Sequence, residues 1–228
     1  MPTPRALRLP LADDHAVSAL LQAPAHPRAC LVLAHGAGAG MAHPFLQAIA
    51  DGLAARDVAT LRYQFPSMER GSRRPDPPAI AQGTVRAAVA DAARQLPGVP
   101  LFAGGKSFGG RMTSQAQAAD PLPGVRGLVF LGFPLHPAGK PSDDRAAHLE
   151  RITVPMLFLQ GARDALASLD LLAPVVERLG ANVTLATFED ADHSFHVPAK
   201  SGRKDTEIMG ELLDATAEWI AVFAGGAS

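Results

Sequence analysis

Cysteine is nearly absent from this chain: Cys30 is the only one in 228 residues. An internal disulfide is therefore excluded, and a reducing, cytoplasmic setting is the expectation. Cys30 stands at the start of an apolar run and reads as a small buried hydrophobe. Net charge is only −1, which leaves no excess of positive charge to hold nucleic acid or an anionic membrane surface. No apolar run approaches the ~18 residues of a membrane span. Met1-Pro2-Thr3-Pro4-Arg5 is followed by no apolar h-region, so no signal peptide is expected. Metal ligands are sparse as well. His193 and His196 stand three apart, but no third ligand follows at zinc-like spacing, and no metal or cofactor is expected. What is present is 47% hydrophobic and 19% charged, a globular balance that suits one α/β domain over residues 1–228.

The most informative stretch is Leu101-Phe102-Ala103-Gly104-Gly105-Lys106-Ser107-Phe108-Gly109-Gly110. It carries Gly-x-Ser-x-Gly between an apolar strand pattern and a helical pattern. A serine on such a turn is pushed out above the sheet edge, and a Cβ on either flanking glycine would collide with a neighbouring strand or helix. Serine is a poor nucleophile by itself; it needs a base within hydrogen-bond reach and a third group to orient that base. Enzymes built on this elbow take those partners in the chain order Ser, Asp or Glu, His. The run Pro155–Gln160 reads as a strand followed by Gly161-Ala162-Arg163-Asp164, and Val183–Phe188 reads as a strand followed by Glu189-Asp190-Ala191-Asp192-His193. Both candidates fall past the C-terminal ends of strands, where open α/β sheets build their sites. Asp164 is the expected acid and His193 the expected base. His196 is the rival base; Asp190 and Asp192 are the rival orienters, disfavoured because an adjacent carboxylate rarely reaches back to Nδ1.

An oxyanion hole completes the set. Ala29–Ala34 reads as a strand entering His35-Gly36-Ala37-Gly38-Ala39-Gly40, and the backbone N–H groups of Ala37 and Phe108 are the expected donors. His35 reads as packed beneath this loop rather than catalytic. Gly105-Lys106-Ser107 also resembles the end of a phosphate-binding loop, but Pro100 stands where that loop needs its first glycine. The Gly36–Gly40 loop lacks the third glycine of a dinucleotide fingerprint, and the next strand ends in Arg62-Tyr63 rather than an acid.

The remaining elements alternate. Leu7–Leu21 reads as one or two edge strands turning at Asp13-Asp14. A helix is expected over His43–Arg56, a strand over Ala59–Gln64 and a helix over Ala79–Leu96. Further on come a helix from Ser107 to Ala119, a strand over Arg126–Gly132 and a helix over Leu169–Leu179, kinked or restarted at Pro174. Asp205 is expected to cap a last helix whose apolar stripe is Ile208, Leu212, Ala215, Trp219 and Phe223. The turn-rich stretch 65–78 is expected across the mouth of the site, its arginines either pairing with Glu69 and Asp76 or favouring an acidic substrate. Only about twenty residues separate Gly132 from Met156, so no large lid is expected. The alternation predicts a mainly parallel sheet of six strands plus one or two near the N-terminus, with helices on both faces.

Several stretches together resemble the α/β-hydrolases of the dienelactone-hydrolase-like group. More narrowly they are similar to bacterial proteins related to the testis-expressed and NSL-complex-subunit hydrolases. They are His35–Met41 with His43-Pro44-Phe45, Arg73-Arg74-Pro75-Asp76, Gly104–Met112, Phe133–Pro137 with Gly139-Lys140-Pro141, and Asp192–Phe195. The resemblance implies the α/β-hydrolase fold and the Ser107, Asp164, His193 triad. Dienelactone hydrolases themselves carry a cysteine nucleophile where this chain has Ser107. The expected activity is that of a serine acyl hydrolase, of carboxylesterase or thioesterase type, acting on a small ester or thioester. The alternatives are a non-catalytic interaction module on the same fold and a nucleotide-binding protein using Gly105-Lys106-Ser107.

Overall fold

The computed structural model describes residues 1–12 and 15–225, and its eight strands form one sheet in the order β1-β2-β4-β3-β5-β6-β7-β8. The strands are β1 (Arg5–Pro10), β2 (Ala16–Gln22), β3 (Ala29–Ala34), β4 (Val58–Tyr63), β5 (Leu101–Lys106), β6 (Val125–Leu131), β7 (Met156–Gly161) and β8 (Val183–Phe188). β1 and β2 pair antiparallel and β2 joins β4 antiparallel, while β3 to β8 all run parallel. The turn expected at Asp13-Asp14 lies outside the described residues. The helices are α1 (Pro44–Ala54), α2 (Pro66–Glu69), α3 (Pro78–Gln95), α4 (Phe108–Ala119), α5 (Leu169–Leu179) and α6 (Asp205–Ala224).

Two apolar layers explain the arrangement. Alternate side chains of the central strands point to opposite faces. Cys30, Val32, Leu61, Phe130 and Phe158 meet α3, α4 and α5 on one face; Leu31, Leu33, Phe102, Val129 and Leu157 meet α1 and α6 on the other. A parallel strand covered on both faces reads as a nearly continuous apolar run, and all six residues of β3, β4 and β7 are buried, with Thr60, Arg62 and Gln160 the polar exceptions. Burial pushes the Cys30 thiol up to about 12, which leaves it an inert hydrophobe. The stripe on α6 is core, with Ile208, Leu212 and Trp219 buried. No described helix is long and apolar enough to cross a membrane.

Two local expectations are corrected. Pro174 sits inside a single helix, α5, which it does not restart; the carbonyl it leaves without an intrahelical partner belongs to Asp170, an exposed residue. Asp205 is the first residue of α6 rather than its cap. Glu207 reaches back to the Lys204 N–H at 2.9 Å, while the Asp205 carboxylate accepts from the Val197 N–H at 2.9 Å and from His196 Nδ1 at 2.8 Å. The helix start is thus tied to the loop before it.

The order of strands reverses beside β3: the chain goes from β3 to β4 on one side, then to β5 on the other. Crevices form at such switch points, outside the C-terminal ends of the strands. Here the crevice lies between the loop after β3 and the turn after β5. The approach of β5 to β6 allows no side chain at Gly104, where a Cβ would lie 1.8 Å from the Val129 carbonyl oxygen. Gly104→Ala is expected to cost about 3 kcal/mol or to prevent folding, lowering the melting temperature by roughly 6–12 °C. Gly83, exposed inside α3 with nothing within 4 Å of a built Cβ, gives the opposite expectation. Gly83→Ala should stabilise by about 0.5–1 kcal/mol, read by the same thermal melt.

Candidate active site

Ser107 is the residue between β5 and α4, with φ 51° and ψ −116°, a conformation L residues avoid. The surrounding glycines show what imposes it. A Cβ on Gly105 would lie 2.4 Å from the Ala34 carbonyl oxygen, and one on Gly109 would lie 2.6 Å from that of His35. Strand and helix are therefore both pressed against the end of β3. The Ser107 N–H donates to the Leu131 carbonyl at 3.1 Å, and its own carbonyl accepts from the Arg111 N–H, which starts the helix. The hydroxyl is left at the crevice, beside the N-terminal N–H groups of α4.

Asp164 ends the turn after β7 and is 4% exposed. Its buried carboxylate is fully engaged. Oδ1 accepts from the Leu166 N–H at 2.7 Å; Oδ2 accepts from Gln160 Nε2 at 2.5 Å and from His193 Nδ1 at 2.6 Å. Gln160 is itself oriented, since its Oε1 accepts from the Phe133 N–H at 3.0 Å. A carboxylate only accepts, so His193 carries its proton on Nδ1 and presents the Nε2 lone pair. That nitrogen lies 2.9 Å from Ser107 Oγ. Ser107, His193 and Asp164, far apart in sequence, are thus in one hydrogen-bonded chain.

The loop after β8 is held by the turn after β7. A Cβ on Gly161 would lie 2.5 Å from the carbonyl oxygens of both Ala191 and Asp192. The Ala162 N–H donates to Phe188 and the Arg163 N–H to Ala191. Asp192 shapes the loop from within, its Oδ1 accepting from the N–H groups of Ser194 and His196 at 2.7 and 3.0 Å. The rivals are accordingly elsewhere: Asp192 caps a turn, and His196 pairs with Asp205 on the surface. That pairing raises the His196 pKa and lowers that of Asp205. No group of three or more metal-ligating side chains occurs among the described residues.

Facing Ser107 across the crevice is the glycine loop. A Cβ on Gly36 would lie 3.8 Å from Ser107 Cβ. Among the described residues, neither the Ala37 nor the Phe108 N–H has a protein acceptor. The loop is braced from behind. Gln64 Oε1 accepts from the Met41 N–H at 2.8 Å, and the buried Arg62 guanidinium reaches the Met41 carbonyl at 3.3 Å. His35 lies beneath, as expected: Nε2 accepts from the Phe65 N–H at 3.1 Å and Nδ1 lies 2.7 Å from the Gly36 carbonyl. Burial holds its pKa below the ordinary value, so the ring is neutral and acts as a strut.

Ser107, His193, Ala37, Lys106, Phe45 and Leu46 line a cleft of about 250 Å³. Residues 65–78 do not line it, contrary to expectation. The backbone of Arg73 instead backs the glycine loop, 3.6 Å from where a Cβ on Gly38 would be. Of its charges, Arg70 pairs with the buried Asp76 at 3.4 Å, whereas Glu69 pairs with Arg8 of β1. Between β6 and β7 the chain forms only a loop and a 3-10 segment, Asp144–Arg151, so no lid domain covers the cleft. A larger hollow of about 480 Å³ lies between the β1–β2 hairpin and α3, lined by Val17, Ile80 and Thr84, and it contains none of the three residues.

Sequence reasoning missed Gln160, Lys106 and the bracing pair Arg62 and Gln64. Gln160 had a legible signal, being the only polar side chain in β7. Lys106 had none, because its partner is defined only by folding.

An eight-stranded, mainly parallel sheet without a lid, carrying a serine elbow at its switch point, defines the α/β-hydrolase class. The chain belongs to the alpha/beta hydrolase domain family, whose profile matches residues 27–221. The fold is dienelactone-hydrolase-like. It is similar to that of a dienelactone hydrolase from Anabaena variabilis, at TM-score 0.77 and 19% identity, covering 97% of this chain and 98% of that one. A serine hydrolase without lid from Xanthomonas campestris matches at TM-score 0.74 and 22% identity over 96% of each chain. An esterase domain from Rhodothermus marinus matches at TM-score 0.75 and 15% identity, covering 98% of this chain and 100% of that one.

The buried His35 and the half-buried His148 set an acid dependence of stability. His148 packs on α4, with Nε2 2.7 Å from Ser114 Oγ; burial, then Arg111 and Arg151, bring its pKa down to about 4, and His35 is lowered by burial. The unfolded chain protonates both near 6.5, so below that pH it binds more protons than the folded chain. Their contribution is fully present above about pH 6.5 and is lost as pH falls toward 4. The raised pKa of the exposed His196 acts weakly in the opposite sense. Urea midpoints measured from pH 7 to pH 4.5 should fall with pH in the wild type and fall less steeply in His148→Gln.

Proposed function

We propose that this chain hydrolyses small carboxylic esters or thioesters through an acyl-enzyme, with Ser107 as nucleophile, His193 as general base and acid, and Asp164 as its orienter. The observation that carries this is the imidazole of His193 bridging Ser107 Oγ at 2.9 Å and Asp164 Oδ2 at 2.6 Å.

Chemistry follows from that geometry. Ser107 Oγ attacks the acyl carbon while its proton passes to His193 Nε2. Asp164, already accepting from Nδ1–H, stabilises the imidazolium that forms without taking its proton. The Ala37 and Phe108 N–H groups, free of protein acceptors, donate to the oxyanion of the tetrahedral intermediate. Collapse breaks the bond to the leaving alkoxide or thiolate, which receives the proton from Nε2. Water then attacks the acyl-serine while giving a proton to Nε2, and collapse breaks the bond to Ser107 Oγ, which takes that proton back as the carboxylic acid leaves. No step uses a metal or an organic cofactor. The catalytic unit is a single domain, since the groups come from β3, β5, β7 and β8 of one sheet. A cleft of about 250 Å³ bordered by Phe45 and Leu46 favours a short, apolar acyl or alcohol group.

Short-chain p-nitrophenyl esters and acyl-thioesters test the reading. Ser107→Ala should lower kcat by at least ~10³-fold, and Asp164→Asn by about 10⁴-fold, the loss typical when the base is held in the wrong tautomer. A fluorophosphonate probe should label Ser107 in the wild type. Full turnover in Ser107→Ala would refute the mechanism, and silence toward both substrates and probes would favour a non-catalytic module.

A further inference from the structure

Lys106, the residue before Ser107, carries a half-buried ammonium that the hydrolytic steps leave without a role. Its side chain runs from the end of β5 across the end of β6 to the loop after β8. There Nζ donates to the His193 carbonyl at 2.5 Å and lies 5.3 Å from the centre of the Phe195 ring. Among the described residues this is the only protein donor to that carbonyl. The path is kept open by Gly132 at the end of β6, where a Cβ would lie 2.8 Å from Nζ and 3.4 Å from His193 Nδ1. The loop it reaches is strained, with positive φ at Asp190 (59°) and Phe195 (63°) on either side of His193.

We infer that Lys106 is a positioning residue for the base: its ammonium clamps the His193 backbone from the nucleophile strand, so that serine and imidazole are held in one register. The inference rests on the assignment of Ser107 and His193 as nucleophile and base. A strained loop relaxes when a restraint is removed, and a shift of about 1 Å between base and nucleophile costs on the order of 100-fold in rate. The chain thereby couples two of its reacting groups through one side chain of the elbow itself. The charges facing the ammonium are Asp164 from the acid turn and Asp192 from the base loop, with the His193 imidazole alongside; Gly132 adds none. Burial, opposed by those two carboxylates, brings the Lys106 pKa down to about 8. The clamp is therefore charged at neutral pH and loses its charge in mildly alkaline solution.

The test measures ester turnover and the rate of fluorophosphonate labelling of Ser107 between pH 6 and pH 10. Lys106→Met should lower kcat and labelling roughly 30- to 100-fold with KM within about 3-fold, at an unchanged melting temperature. Wild-type rates should decline above about pH 8, and the Met variant should lack that decline. Lys106→Cys, alkylated with 2-bromoethylamine, restores an ammonium at the same reach and should recover most of the rate; Cys30 is fully buried and does not compete. A folded Met variant with wild-type kcat and the same alkaline decline would overturn the inference. So would a folded Cys variant that alkylation leaves as slow as before, which is also the deciding comparison if the Met variant does not fold. Wild-type protein unlabelled at Ser107 and inactive on every ester would instead remove the nucleophile assignment beneath it.

Discussion

Everything at the C-terminal end of the parallel strands depends on how closely the β5–α4 elbow approaches the end of β3. With no Cβ at Gly105 or Gly109, the strand enters and the helix leaves within van der Waals contact of Ala34 and His35. That contact has two consequences. It forces Ser107 into a positive-φ conformation, which costs on the order of 1–3 kcal/mol and persists because the packing over-determines it. It also brings the glycine loop after β3 against the serine, so that two separate elements border one cleft. The strain and the cleft are thus products of a single packing constraint. Removing it would relax the serine and dissolve the site together.

The other half of the site is assembled by a second close approach. The Asp164 turn after β7 and the His193 loop after β8 meet at Gly161, and the turn's N–H groups donate to the loop's carbonyls. Asp164 is buried, yet all of its donors are neutral groups: a backbone N–H, an amide and an imidazole. A buried carboxylate hydrogen-bonded in this way is in direct contact with no cation, the Lys106 ammonium acting on it only through space, and it retains its electrostatic leverage on the imidazole. Lys106 contacts the carbonyl of His193 rather than the carboxylate. The imidazole is therefore fixed at its ring by Asp164 and at its backbone by the elbow.

Much of this was legible in one dimension because the relevant signals are local. Gly-x-Ser-x-Gly between a strand and a helix predicts the elbow, since only glycine relieves those collisions. Strands followed by Asp164 and His193 predict where a carboxylate and a base emerge. Packing overrode local chemistry in three places. Asp205 reads as a cap but lies one residue inside the helix, because its carboxylate is drawn to Val197 and His196. Pro174 reads as a kink or a restart, yet α5 continues through it without restarting. Residues 65–78 read as a cover for the site, but Arg73 and Asp76 turn them against the glycine loop and α2.

The sequence by itself determined the alternation of strands and helices, the position of the strained serine and the identities of its expected partners. These follow from periodicity and from backbone sterics, which act over a few residues. Only the tertiary structure decided which of several carboxylates and histidines meets the serine, that Gln160 orients Asp164, and that Lys106 spans β6 to reach His193. Those choices turn on distances of two to three ångströms between residues up to 87 positions apart. Such distances are set by strand order and sheet register, which no short stretch of the chain specifies.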